Sequence, residues 1–214
     1  MKYREIRETV LSAVLKANAM GLIQGTSGNV SMRDSVDPVA AITPSGIPYD
    51  NMKPEEISIV DLDGKWLEGP YKPSSETPMH TALMRSRADA AAVIHTHSLF
   101  ATLMSMRDKP LDVCTVPGCG YYPIPVAAPF EEPGSDALAK RTVDTFGDKL
   151  EVIMLRNHGL IALGKTMDAA MTAAVYAEEA AQVNYYALLA GFTNWIPKEC
   201  VDAVRERVNK GWAV

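Results

Sequence analysis

The chain has 214 residues, 47% of them hydrophobic and 22% charged, with a formal net charge of −5. That length and balance suit one globular domain spanning 1–214 with a large core, and the acidic excess argues against a broad nucleic-acid or anionic-membrane surface. No apolar run approaches the ~18 residues of a membrane span, no secretion signal precedes the first helix, and three cysteines without a Cys-x-x-Cys pair read as reduced thiols of a cytoplasmic protein.

Residues 3–20 are predicted to form a helix, because Ile6, Val10, Ala13, Val14 and Ala17 recur at helical spacing and Gly21 stops it. Residues 24–31 (Gln24-Gly25-Thr26-Ser27-Gly28-Asn29-Val30-Ser31) read as a small-residue turn entering a strand. A short strand at 39–42 runs into Thr43-Pro44-Ser45-Gly46, 54–57 make one helical turn, and 59–68 form a hairpin turning at Asp63-Gly64. A helix is expected from Ser75 to about Arg87, with Ser74 or Ser75 as N-cap and Pro78 in its first turn. Then come a strand at 91–97, a helix at 98–106, strands at 112–116 and 123–127, a helix at 135–146, and strands at 151–157 and 160–163. The Ala-rich helix 167–189 is apolar on most faces, which predicts burial or a subunit contact; a last helix covers 197–209, before a tail at 211–214. Strands and helices mix without strict alternation, so the sheet should be mixed or antiparallel and covered by helices.

The chemistry concentrates at few positions. Of four histidines, His95 and His97 alternate at the end of an apolar strand, about 7 Å apart along it and on one face. His158 follows a second apolar run, and Glu76 lies at the start of the helix that opens with two serines. Three imidazoles and one carboxylate suit zinc or a similar divalent ion. His80 follows Glu76 by four residues on the same helix face, and reads as a packed or supporting histidine rather than a ligand. The clusters at 26–29, 43–46 and 74–76 are small, polar and placed at strand or helix ends, where hydroxyls and free N–H groups suit an anion; each alone reads equally as a turn or cap. Cys114 and Cys119 could be nucleophiles, but packing as small hydrophobes is the better reading.

Taken in order, the segments at 24–31, 42–49, Pro73-Ser74-Ser75-Glu76, His95-Thr96-His97 and Asn157-His158-Gly159-Leu160-Ile161-Ala162 closely resemble the metal-dependent class II aldolase/adducin family, and within it the L-fuculose-1-phosphate aldolase group. The resemblance implies a three-layer α/β/α sandwich around a largely antiparallel sheet, and a homotetramer with active sites at subunit interfaces. It implies metal ligands at Glu76, His95, His97 and His158, with one Zn2+ (or Mn2+ or Co2+) per subunit. The substrate phosphate would be held by Gly28, Asn29, Ser45, Gly46, Ser74 and Ser75. Glu76 would also be the catalytic proton donor and acceptor in cleaving a ketose 1-phosphate to dihydroxyacetone phosphate and an aldehyde. On the aldehyde side the chain departs from the family: a tyrosine from the neighbouring subunit falls at Cys114, and an aromatic gives way to Pro133. Tyr121 and Tyr122 lie nearby, and Trp212 falls near a tail aromatic. Other activities of the superfamily are a keto-acid decarboxylase and a pentulose-5-phosphate 4-epimerase, whose Ser-Ser-Asp-Thr-Pro is echoed by Ser74-Ser75-Glu76-Thr77-Pro78 but whose His-Ala-Asp segment is missing. A non-catalytic adducin-like module is disfavoured by the intact Glu76 and histidine set.

Overall fold

A computed structural model of the protein describes residues 1–211; the tail aromatic Trp212 lies outside the described residues. One eight-stranded sheet forms the middle layer, built from β1 (Asn29–Arg33), β2 (Val39–Ile42), β3 (Ser58–Asp61), β4 (Trp66–Glu68), β5 (Ala92–Thr96), β6 (Val126–Ala127), β7 (Val152–Leu155) and β8 (Gly159–Gly164). The strand order is β4-β3-β2-β1-β5-β8-β7-β6. Among the described residues only β6 pairs in parallel, with β7.

Alternation along the strands divides the core into two. On one face Ala92, Ile94, Val152, Met154, Leu160 and Ala162 pack against α1 (Arg4–Ala19), α3 (Leu99–Met104) and α6 (Met167–Leu189). On the other, Val93, Ile153, Leu155, Ile161 and Leu163 pack against Met79, Leu83 and Met84 of α2 (Thr77–Ser86) and Leu138, Ala139 and Phe146 of α5 (Asp136–Phe146). The expected α/β/α sandwich with a largely antiparallel sheet is the architecture found. His95 shares its face with Val93, so its side chain projects toward α2, the helix that Glu76 precedes.

Three elements differ from expectation. Residues 112–116 form no strand, because their polar groups have other partners: Asn184 Oδ1 accepts from the Asp112 N–H, and Val113 O accepts from the Ile196 N–H. The chain instead forms the four-residue helix α4 (Val116–Cys119), with Pro117 in its first turn and the Thr115 hydroxyl as its cap. The strand expected at 123–127 shrinks to two residues, since Pro123 and Pro125 have no N–H to donate to a ladder. Helix α2 begins at Thr77 rather than Ser75: the Thr77 N–H is taken by Ser74 O in a preceding turn, leaving Glu76 at the N-cap position. The last helix, α7 (Lys198–Asn209), lies where expected.

One close approach fixes the strand ends that bear the histidines. Thr96 pairs with Leu160 across β5 and β8, and a Cβ on Gly159 would lie 2.1 Å from Thr96 O and 3.2 Å from His97 Cα. No side chain fits there without separating the strands. Gly159→Ala is therefore expected to destabilise the fold by about 1–3 kcal/mol or more, read as a lower midpoint in denaturant unfolding; an unchanged midpoint would show that the strands have room to part.

Candidate active site

Each side chain of the group around Glu76 is delivered by a different local device. His95 is the fourth residue of β5 and fully buried; His97, just beyond the strand end, is exposed at the mouth of the pocket. His158 follows Asn157, whose backbone sits in the left-handed region (φ 53°), a conformation that asparagine tolerates better than most residues. That tight turn between β7 and β8 is held by the Asn157 N–H, which donates to Ser105 Oγ at 2.9 Å, and by the His158 N–H to Leu155 O at 3.1 Å. The segment after His97 is pinned by Glu178 of α6. Its carboxylate accepts from Ser98 Oγ and from the Phe100 and Ala101 N–H groups, each at 2.8 Å, and so caps α3.

The four side chains meet. The three imidazole centroids form a triangle with every side 4.8 Å. Nε2 of His95 lies 2.9 Å from Nε2 of His97 and 3.0 Å from Glu76 Oε2, and Nε2 of His158 lies 3.4 Å from Glu76 Oε1. All four ligand atoms fall within 4.8 Å of one another. His95 Nδ1 is 2.9 Å from Leu160 O, a carbonyl that only accepts. Nδ1 therefore carries the proton and Nε2 turns its lone pair into the group, as the outer hydrogen bond of a metal-binding histidine does.

The donor set fits a divalent cation. Tetrahedral zinc, with ligands about 2.1 Å away, separates them by about 3.4 Å, close to the spacings found. Glu76 Oε1 is buried and has no hydrogen-bond partner, an orphan that a cation would satisfy. Burial would by itself raise the Glu76 carboxyl, but the neighbouring His95 and His158 imidazoles and the hydrogen bond from the Asn29 amide outweigh it and hold it well below the usual carboxylate range. Loss of solvation pushes His97 and His158 down to about 4, so both present neutral, ligating rings at pH 7.

Beside this group lies an open pocket of about 450 Å³. Gly28, Asn29, Ser45, Gly46, Ser74 and Ser75 all line it, together with Glu76, His97 and His158. Three loops are tied together to make its wall. Pro44 and Pro73 form an isolated bridge, with the Ser45 N–H donating to Lys72 O and the Ser74 N–H to Thr43 O. Tyr49 Oη donates to Gly28 O at 2.8 Å. Gly28 has φ +93°, and a Cβ there would come within 2.8 Å of His95 O, so the turn needs glycine to lie against β5. Asn29 differs from the rest: its side chain also joins Glu76 to His80.

Asn157, from the Asn-His-Gly segment, also lines the pocket, as does Phe130, which carries no motif that the sequence could single out. Cys114 lies elsewhere, in a small hollow with Leu111, Tyr122, Ile124 and Ala180, and burial pushes its thiol up, which suits packing rather than nucleophilic attack. Tyr121 packs against Tyr176 and is raised to about 12, mainly by burial.

Comparison with known proteins extends these findings. The family model of the class II aldolase and adducin N-terminal domain matches residues 8–185. The chain is 34% identical over 199 residues to 5-deoxy-D-ribulose 1-phosphate aldolase of Bacillus thuringiensis serovar kurstaki, covering 93% of each chain. It is 35% identical over 175 residues to L-fuculose phosphate aldolase of Haemophilus influenzae, covering 80% of this chain and 78% of that one. A solved L-fuculose 1-phosphate aldolase superposes with a TM-score of 0.90 at 27% identity, covering 98% of both chains.

The lowered histidines set a pH dependence. On unfolding, His97 and His158 regain ordinary values near 6.5, so below that pH the unfolded chain binds protons that the folded chain refuses until about pH 4. Stability conferred by keeping these rings neutral is complete above pH 6.5 and is lost as pH falls toward 4. Thermal melts in EDTA should show the midpoint declining across this window; a flat midpoint from pH 7 to 4.5 would contradict it.

Proposed function

The chain belongs to the class II aldolase and adducin family, and from that premise we propose that it is a metal-dependent aldolase cleaving a deoxyketose 1-phosphate reversibly to dihydroxyacetone phosphate and a short aldehyde. The observation that carries this reading is the convergence of Glu76, His95, His97 and His158 beside a pocket walled by Ser45, Gly46, Ser74 and Ser75. An anion site next to a cation site matches a substrate with a phosphate at one end and a carbonyl two atoms away. The relatives that act on 5-deoxyribulose 1-phosphate and fuculose phosphate support this substrate class.

Glu76, His95, His97 and His158 would hold the ion, for which Zn2+ is the first choice and Mn2+ or Co2+ the others, one per subunit. When bound, such an ion supplies a Lewis acid for the substrate carbonyl. The remaining work falls to the chain. Hydroxyls of Ser45, Ser74 and Ser75 and the main chain at Gly28 and Gly46 bind the phosphate, and the positive end of α2 favours its charge. Glu76 is the carboxylate in position to take a proton and return it to C3 of the three-carbon product after the C3–C4 bond breaks. Phe130 and Pro133 also line the pocket and are the side chains we assign to the aldehyde half of the substrate.

We read 1–214 as one domain, cytoplasmic, working as a homotetramer with active sites between subunits. Support for assembly comes from the exposed end of α6, where Tyr186, Leu189 and Phe192 surround an apolar hollow of about 560 Å³. Among the described residues no helix is long and apolar enough to cross a membrane.

Two measurements test the reading. Zn2+-loaded protein should release dihydroxyacetone phosphate from 5-deoxyribulose 1-phosphate or L-fuculose 1-phosphate and lose the activity in EDTA; failure on both sugars, with no condensation of dihydroxyacetone phosphate with acetaldehyde or lactaldehyde, would end the aldolase reading. Glu76→Gln should keep the melting profile and lose about 10²–10⁴-fold in kcat, and near-normal turnover would remove Glu76 from proton transfer.

A further inference from the structure

His80 is the one histidine outside the donor group, and its surroundings are too specific for a space-filling ring. It lies on α2, buried, four residues after Glu76. Its Nδ1 is 2.6 Å from Ser31 Oγ and its Nε2 is 2.5 Å from Asn29 Oδ1. Ser31 and Asn29 are alternate residues of β1 on one face. Asn29 Nδ2 in turn donates to Glu76 Oε2 at 3.1 Å.

The direction of every link is forced. A carboxylate only accepts, so Asn29 must turn its NH2 toward Glu76 and its carbonyl toward His80. A carbonyl only accepts, so His80 Nε2 carries the proton. A ring whose one proton sits on Nε2 has a bare Nδ1, and that nitrogen faces the Ser31 hydroxyl. The Ser31 hydroxyl therefore donates to Nδ1. The chain runs one way, from Ser31 through His80 and Asn29 to Glu76. The opposite tautomer would require the Asn29 amide to turn over and set its oxygen against Glu76 Oε2.

We propose that His80 is a positioning residue for Glu76: through Asn29 it keeps an N–H donor turned on Oε2, fixing the carboxylate's orientation and leaving Oε1 as the oxygen without a partner in the protein. The inference rests on Glu76 being the working carboxylate of the proposed reaction.

The test begins with nitrogen NMR of ¹⁵N-histidine-labelled protein in EDTA. His80 should be a single neutral tautomer with its proton on Nε2; a proton on Nδ1 would overturn the proposal. His80→Phe should weaken Zn2+ binding or lower kcat on 5-deoxyribulose 1-phosphate by about 10–100-fold, the usual effect of removing an outer-shell partner, with KM nearly unchanged. His80→Gln, whose amide N–H can reach the place of Nε2–H, should recover most of that loss. Equal losses in both variants, or none in the Phe variant, would reduce His80 to packing. Should the Phe variant not fold, the tautomer of the unaltered protein carries the test alone: a proton on Nε2 supports the proposal and a proton on Nδ1 overturns it. A Glu76→Gln variant that still cleaves substrate would sink the reading of Glu76 while leaving the tautomer result standing, so the two failures are distinguishable.

Discussion

Strand β5 pairs with β1 on one side and β8 on the other, and both pairings run up to the histidines. Asn29 lies opposite His95 in one ladder, and Leu160, two residues past His158, lies opposite Thr96 in the other. Main-chain hydrogen bonds, and not side-chain contacts, thus bring together segments centred near residues 29, 95 and 158. Glu76 arrives from the helix layer above the same face. The site is a consequence of where one central strand ends.

That placement gathers electron pairs at one point. The Nε2 of His95, protonated only on its far side, looks at a carboxylate and at the Nε2 of a second imidazole. Burying a carboxylate against lone pairs is unfavourable unless a positive charge joins them. The fold sustains the arrangement with fixed hydrogen bonds from outside: Leu160 O on His95, the Asn29 amide on Glu76, and Glu178 clamping the segment after His97. A divalent ion would relieve the repulsion, so the geometry most costly to the empty chain is the one best prepared for binding.

Much of this was legible in the sequence. The alternation of His95 and His97 after an apolar run, the two serines before Glu76 and the Asn-His-Gly turn each name a local structure, and in register they name the family. What was not legible depended on partners distant in the chain. The β-branched run at 112–116 has strand propensity, but Asn184 and the segment before α7 take its polar groups. His80 reads as packing because a single sequence does not reveal that Ser31 and Asn29 lie under α2. Phe130 belongs to a loop whose placement follows from Gly134 lying against Ser75 O, a contact with no local signal.

The contact of Gly159 with Thr96 has a consequence for how such a protein can change. Because the histidines hang from main-chain pairings that leave no room for a side chain, that half of the pocket offers no position at which small substitutions can tune it. The loop bearing Phe130 and Pro133 carries none of the four donors. The pocket thus joins one wall held fast by main-chain packing to another made by side chains of a loop that carries none of the donors.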